Sequence, residues 1–541
     1  MPRIKSILVV SGLTAVLSLP SPAWAQLGAP ITAPAPLNAN AATDTEGDWG
    51  TQVVTDGAGH WVTVWYSGDD LGGTIGLDYD ILVSCSADHG VSWSTTAALN
   101  SNAGSDTGAD MYPQVATDAL GNWVAVWWSD ENLGGSVGTD SDIFVARSVD
   151  HGATWSVPQA LNTNADSDSG QDSYPQIIAN GSGTWLAVWH SIDNLGGTIG
   201  TDADILVARS TDNGATWSTP QPLNTNAASD SGADGKPQVT TDGLGNWLTV
   251  WYSSENLGGT IGTDRDILMA RSTDNGSTWS APQVLNTNAD SDSGDDMYPQ
   301  AATDSLGHWI TVWRSDENVG GVIGTDDDIL VARSTDNGET WSAPGPLNNN
   351  ASSDTGDDYE PRVATDGAGN WVTVWSSKDD LGGTIASDYD NLVARSADNA
   401  ATWSDPQPLN TNATSDSGDD EYPHLATDGS GTWVVVWESD DDLGATVGGD
   451  YDILLARFAL PDCNANGVAD GQDIAGATSS DCDGNGVPDE CQPDSDGDGT
   501  IDVCEGPCGC GATTAVLMSF WALCVAKLPR RRRDDVRATR R

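Results

Sequence analysis

The stretch Trp123-Val124-Ala125-Val126-Trp127 decides the fold, because it returns every 62 residues. Trp61, Trp123, Trp185, Trp247, Trp309, Trp371 and Trp433 open the copies, and Trp65, Trp127, Trp189, Trp251, Trp313, Trp375 and Trp437 close them. A third column holds Arg147, Arg209, Arg271, Arg333, Arg395 and Arg457, with Cys85 in the first place. No insertion breaks the period. A fixed period of this kind means one supersecondary unit written seven times. The quoted run is apolar at every position, so as a strand it has two apolar faces. Such a strand must be covered on both sides.

Outward from it, the second unit contains three more strand-like pieces, at residues 112–117, 142–147 and 159–162. Each is short, rich in β-formers or apolar residues, and bounded by Gly, Asp, Asn or Pro. Four strands per unit, stacked as blades that cover one another, predict an all-β, seven-bladed β-propeller over residues 26–460. The chain ends favour ring closure. Pro36-Leu37-Asn38-Ala39-Asn40 lies one period before Ala98-Leu99-Asn100-Ser101-Asn102, as a fourth strand with no blade of its own. The seventh unit, residues 424–458, lacks a fourth strand. The N-terminal strand is therefore expected to complete the last blade and remove the open edges.

Between the third and fourth strands stands Ser210-Thr211-Asp212-Asn213-Gly214-Ala215-Thr216-Trp217. The pattern S-x-D-x-G-x-T-W recurs at Asp150, Asp274 and Asp336, and in looser form at Asp88, with Ser92 for Thr, and at Asp398, with Ala400 for Gly. It resembles the Asp-box, or BNR repeat, of the sialidase superfamily. The resemblance implies that Asp88, Asp150, Asp212, Asp274, Asp336 and Asp398 are structural turn elements, on the face opposite an active site. It also implies a possible exo-sialidase chemistry, with three Arg clamping a carboxylate, a Tyr–Glu nucleophile pair and an acid Asp. No Lys or Arg lies between Lys5 and Arg147, where the first clamp residue belongs, and that superfamily's propeller has six blades. Arg265, Arg314 and Arg362 are the non-periodic candidates for a clamp, and Tyr79, Tyr389 and Tyr451 the candidate phenols. The periodic Arg are expected to pair with a carboxylate in each blade.

Charge narrows the partners. The chain carries 79 acidic and 21 basic residues, a formal −58, which excludes a nucleic-acid binder. Two loops of each unit share the pocket-bearing face of a propeller, and both are acidic. In the second unit they are residues 129–142, ending Asp140-Ser141-Asp142, and residues 162–172, with Asp166, Asp168 and Asp172. Alternating Asp, Asn and Ser around Gly is the donor chemistry of calcium loops, so Ca²⁺ is the expected cofactor.

After the propeller, residues 461–506 repeat a loop spacing. Asp462, Asn464, Asn466, Asp470 and Asp473 form the first loop, Asp481, Asp483, Asn485 and Asp489 the second, and Asp494, Asp496, Asp498, Asp502 and Glu505 the third. Oxygen donors at positions 1, 3, 5 and 9 around a turn Gly match an EF-hand-like loop. Without flanking helices the array resembles thrombospondin type 3 calcium repeats, which implies a calcium-stiffened stalk. Cys463, Cys482, Cys491 and Cys504 suit a disulfide-permissive compartment, with pairing open. Cys85 reads as a small buried hydrophobe.

The termini read as addresses. Arg3 and Lys5, the apolar residues 7–19 and Ala23-Trp24-Ala25 form a secretory signal over residues 1–25. Residues 507–541 carry Cys508-Gly509-Cys510, an apolar run and the Arg530–Arg533 cluster. That order resembles bacterial C-terminal sorting tails, most closely the myxobacterial type, and implies a membrane contact and display at the cell surface. The expected function is a calcium-stabilised binding or adhesion module for glycans or other surface components. The alternatives are an exo-α-sialidase or related glycoside hydrolase, and a structural coat protein. No catalytic residue is assigned beyond the three weak Arg candidates.

Overall fold

The computed structural model describes residues 31–460, together with 473, 478–480, 482 and 488–492. Residues 31–460 form seven four-stranded antiparallel sheets, six of them each built from consecutive strands of one period. In the second blade the strands are Asp110–Thr117, Trp123–Ser129, Asp142–Ser148 and Gln159–Ala160. The innermost strand starts two residues earlier than the β-former pattern suggests, because Asp110 is buried and bonded rather than looped out. The outermost strand shrinks to two residues, Gln159 and Ala160.

The expected closure is present. Asp420–Thr427, Thr432–Ser439 and Asp452–Ala459 form three strands of the last sheet, and Ala35–Pro36 is the fourth. Ala35 pairs with Leu455 and Pro36 with Leu454, the register that Gln221–Pro222 keeps against Leu206 and Val207 in the third blade. Thr32 extends the seam, its N–H donating to the Arg457 carbonyl at 2.9 Å.

Alternation along the second strand builds the core. Trp123, Ala125 and Trp127 pack against Val62, Val64, Ile81, Val83 and Leu99 of the blade before. Val124 and Val126 face the other way, onto Trp185, Ala187 and Trp189 of the blade after. Each blade thus inserts two Trp into its neighbour, and Trp61 and Trp65 insert against Val434, Val436 and Ile453 across the closure. All these Trp are fully buried.

The Asp-box fixes the opposite end of each blade. Asp212 accepts from the Thr216 N–H at 2.9 Å, the Thr216 hydroxyl at 2.7 Å and the Ser210 hydroxyl at 2.8 Å. Gly214 holds φ +73° while a Cβ there would meet Val124 of the preceding blade at 2.7 Å, so the turn needs glycine for both conformation and space. In the sixth box Ala400 adopts φ 58° at the same place. The box lies on the face of the first turn, since the Asn275 N–H donates to the Gly245 carbonyl at 3.2 Å. Arg209 donates from Nε to the Asn275 carbonyl at 2.8 Å, so this periodic Arg braces the next blade's turn through a backbone oxygen rather than the expected carboxylate.

Among the stalk candidates, Asp473 and Asp489 lie within the described residues. Asp473 accepts from the Thr478 hydroxyl at 2.8 Å, and Asp489 from the Cys482 N–H at 2.9 Å. Cys482 and Cys491 are disulfide-bonded, and Cys85 is free. Asp462, Asn464, Asn466, Asp470, Asp481, Asp483, Asn485, Asp494, Asp496, Asp498, Asp502 and Glu505 lie outside the described residues, as do the signal and the C-terminal tail.

Candidate ligand-binding site

Each inner strand carries the same defect, and the defect makes a site. Pairing in the second blade skips between Met111 and Gln114, leaving Tyr112 and Pro113 as a bulge. Proline has no N–H to lose from the ladder, so it tolerates this place in a strand. Tyr112 takes φ 51°. A bulge re-aims a side chain, here toward the propeller axis. The same column holds Gly50, Tyr174, Lys236, Tyr298, Glu360 and Tyr422, all with φ between 47° and 65°.

The seven bulges surround an axial cavity of about 420 Å³. One tier is Tyr112, Tyr174, Lys236, Tyr298, Glu360 and Tyr422; the next is Gln114, Gln176, Gln238, Gln300, Arg362 and His424. Trp49, Tyr66, Glu421 and Glu438 complete the wall. The inner strands enter from the blade-to-blade loops, so the mouth opens on the acidic face, away from the Asp-boxes. The wall is largely aromatic. Tyr112 lies 5.4 Å from Tyr66 and 5.0 Å from Tyr174, centroid to centroid. The Lys236 ammonium sits 3.8 Å over the Tyr174 ring.

The ionisable groups in this wall are individually unlike their exposed forms. Burial, with Glu421 and Glu360 nearby, pushes Glu438 up to about 8, although it accepts a hydrogen bond from the Gly50 N–H. Burial, helped by Arg362, pushes His424 down to about 3. Its Nδ1 accepts from the Val53 N–H at 3.4 Å across the closure. Lys236 is lowered by burial. Arg362 is also lowered by burial, and pairs with Glu360 at 3.6 Å. Burial thus holds a carboxyl and an imidazole toward their neutral forms, beside one internal ion pair, the Lys236 ammonium and Glu421.

The three Arg candidates are not gathered. Arg362 lines the cavity. Arg265 pairs with Asp295 at 2.8 Å and is half-exposed. Arg314 pairs with Asp327 at 2.7 Å and lies 4.6 Å over the Tyr359 ring. The phenols divide as well. Tyr79 is exposed beside Tyr66, and Tyr389 lies tilted against Tyr359 with the Lys378 ammonium over its ring. Tyr451 donates to Glu421 at 3.3 Å, the one Tyr–Glu contact of the three. Glu421 and the other carboxylates add to burial in pushing that phenol up.

Sequence reasoning did not single out Lys236, Glu360, Glu421, His424 or Glu438. The readable signal was a departure from the repeat: Lys and Glu where other units have Tyr, and Arg and His where they have Gln.

The acidic face carries a second constellation outside the cavity. In the first blade Asp78, Asp80 and Asp106 bring carboxylate oxygens within 4.8 Å of one another, and Asp140, Asp142 and Asp168 repeat this in the second. Burial and the neighbouring carboxylates push Asp80 up to about 7 and Asp106 to about 6.

Comparison with known proteins follows the same lines. The profile of the BNR repeat-like domain matches residues 121–359 and, in a shifted register, 183–420. No curated protein matches by sequence. Among solved structures, the Hadza microbial sialidase Hz136 is similar at 18% identity, covering 64% of this chain and 65% of its own, with a TM-score of 0.40. The Penicillium chrysogenum α-L-arabinanase is similar at 15% identity over 65% of this chain and 93% of its own, with a TM-score of 0.41. The NanB sialidase from Streptococcus pneumoniae is similar at 11% identity over 80% of this chain and 70% of its own, with a TM-score of 0.38. This chain thus spans just under two thirds of the first of these. With the family profile matching more than half of the chain, over blades that carry the Asp-box, the chain belongs to the BNR repeat-like domain family.

Proposed function

We propose that this propeller is an exported module that binds a saccharide, or a similar polyhydroxylated surface component, in its axial cavity without cleaving it. One observation carries the reading: departures from a near-uniform repeat converge there. Lys236 of one blade, Glu360 and Arg362 of a second, and His424 and Glu438 of the last line one cavity. Aromatic walls stack on the apolar faces of sugar rings, and amide, carboxyl and cationic groups hydrogen-bond hydroxyls. The volume suits a ligand of one or two sugar units. The signal-like N-terminus and the Cys–apolar–Arg tail support display at the cell surface.

A second reading, glycoside hydrolysis, is favoured by the Tyr451–Glu421 contact. Two features support binding over it. The phenol is pushed toward its protonated form, and no three-Arg clamp forms, since Arg265 and Arg314 are each engaged elsewhere.

A glycan-array screen followed by calorimetry tests the proposal. Tyr174→Ala and Lys236→Ala are expected to weaken the recovered ligand at least about tenfold, the loss of one stacking or charged contact. Turnover of a fluorogenic sialoside or arabinoside, lost in Tyr451→Phe, replaces binding by hydrolysis. An array without ligands, together with no turnover, refutes both.

A further inference from the structure

The acidic loops contain an oxygen cage that is the same in every blade. In the first blade the Asp80 side chain is fully buried; Oδ1 accepts from Asn100 at 2.7 Å, while Oδ2 has no partner. Asp78 Oδ2, Asn102 Oδ1 and Asp106 Oδ1 are likewise buried without partners. The carboxylates converge within 4.8 Å. Among the described residues no Lys, Arg or His forms an ion pair with them. The pattern returns with Asp142 Oδ2, Asp204 Oδ2, Asp266 Oδ2, Asp328 Oδ2, Asp390 Oδ2 and Asp452 Oδ2, in residues at most 1% exposed. Buried polar atoms are normally satisfied, so a lone orphan is an accident and the same orphan in seven blades is a design.

We propose that each blade binds one calcium ion through its D-x-D pair at the start of the third strand and the Asn and Asp of the following loop, seven ions in all. The donor sets are all oxygen, with three carboxylates and an amide. That chemistry selects a hard cation, and the absence of His and Cys from each set disfavours zinc. Three carboxylates and irregular loop geometry suit Ca²⁺, which accepts six to eight oxygens, better than the strict octahedron of Mg²⁺. Around the cage the supports are rigid. Asn100 holds both Asp80 and Asp110 of the next blade, at 2.7 and 2.8 Å, and its Oδ1 accepts from the Ile81 N–H. The seventh cage joins the chain ends: Asp44 and Asn40 come from the N-terminal arm, Asp450 and Asp452 from the last blade. The inference does not depend on what fills the axial cavity.

The test uses the full chain, stripped with EDTA and dialysed against radioactive Ca²⁺. Asp140→Asn is expected to lower uptake by one ion per chain, or to weaken one site at least about tenfold, since ligand charge sets affinity. Asp166→Asn, exposed in the same loop, leaves uptake unchanged. Equal uptake by wild type and Asp140→Asn overturns the proposal. A second measurement needs no variant. The indole of Trp437 donates to Asp420 at 2.8 Å, beside this loop layer, whereas residues 461–506 contain no aromatic residue. Trp-sensitised Tb³⁺ emission, with its donors packed in the blades, therefore reports ions held close to them. Emission that Ca²⁺ displaces supports the cages; a folded chain without it refutes them.

Discussion

Replacing Asn38 by Ala tests whether the N-terminal arm is a structural part of the ring. Asn38 is buried, and its amide donates to Asp452 at 2.6 Å while its oxygen accepts from the Ile453 N–H at 3.3 Å. Asn224 makes the equivalent bonds inside the third blade, to Asp204 at 2.7 Å and from Ile205 at 3.2 Å, and adds one to Asp234 of the next blade at 2.8 Å. Ala removes a hydrogen bond to a carboxylate, about 1.5–3 kcal/mol, and orphans a buried N–H, about 1–3 kcal/mol. Together the loss is about 2.5–6 kcal/mol. An unfolding entropy of about 2.1 cal/mol/K per residue, over roughly 430 residues, makes about 0.9 kcal/mol/K. A single cooperative transition would then move down by about 3–7 °C. Calorimetry in saturating Ca²⁺, with Asn224→Ala alongside, measures both. A fall of several degrees is expected for both, the larger for Asn224→Ala, which also loses the bond to Asp234. A shift under about 1 °C for Asn38→Ala beside several degrees for Asn224→Ala refutes the closure as a cooperative element.

Three further outcomes are expected. Glu438 keeps a proton in the native chain up to about pH 8, whereas an unfolded Glu loses it near its ordinary value of 4.5, so native stability falls as pH rises between those limits. Glu438→Gln cannot ionise and should flatten that fall, seen as a smaller decline of the urea midpoint from pH 5 to 8; an unchanged slope contradicts the assignment. Asp212→Ala removes three hydrogen bonds at an exposed turn and should cost about 1–2 kcal/mol in urea denaturation, with no change in ligand affinity on the opposite face. Removing Ca²⁺ with EDTA should weaken ligand binding in the axial cavity as well as lower Tm, and calorimetry with and without the chelator separates that from unfolding.

The scaffold was legible because packing imposed a period. Trp123 and Trp127 face one neighbour and Val124 and Val126 the other, so a both-sided apolar strand could mean only a blade between blades. The closure was legible because Pro36-Leu37-Asn38 keeps the repeat's register outside any complete unit. The cavity was not, for the same reason in reverse. A search for what recurs passes over Lys236, Glu360 and Glu438, each of which recurs nowhere in its column. The bulge was also hidden, since a Tyr-Pro pair inside a strand reads as a turn before it reads as a kink toward the axis. Calcium chemistry was visible in the loops as composition. Its donor sets were not, because Asp80 and Asp106 meet only after the chain has passed through a fourth strand.

Symmetry divides the labour between rim and axis. The Asn column at 38, 100, 162, 224, 286, 348 and 410 never varies, whereas the bulge column holds Gly, Tyr, Lys and Glu. The physical demands explain the contrast. Asn100 must bond two buried carboxylates and a backbone N–H at once, and only a primary amide offers two donors and an acceptor in one plane, on the shorter arm in Asn. Tyr112 has only to project into a cavity, so its column can change without loosening a blade. Yet the Asn's partner and the bulge are two residues apart on one strand: Asp110, held by Asn100, anchors the strand's start, and Tyr112 is the bulge that follows. In four blades the Asn bonds the Asp that starts the next inner strand, at Asp110, Asp172, Asp234 and Asp296, so a repeated rim contact sets the height from which unlike side chains face a single ligand. The sevenfold repetition is what permits an asymmetric site.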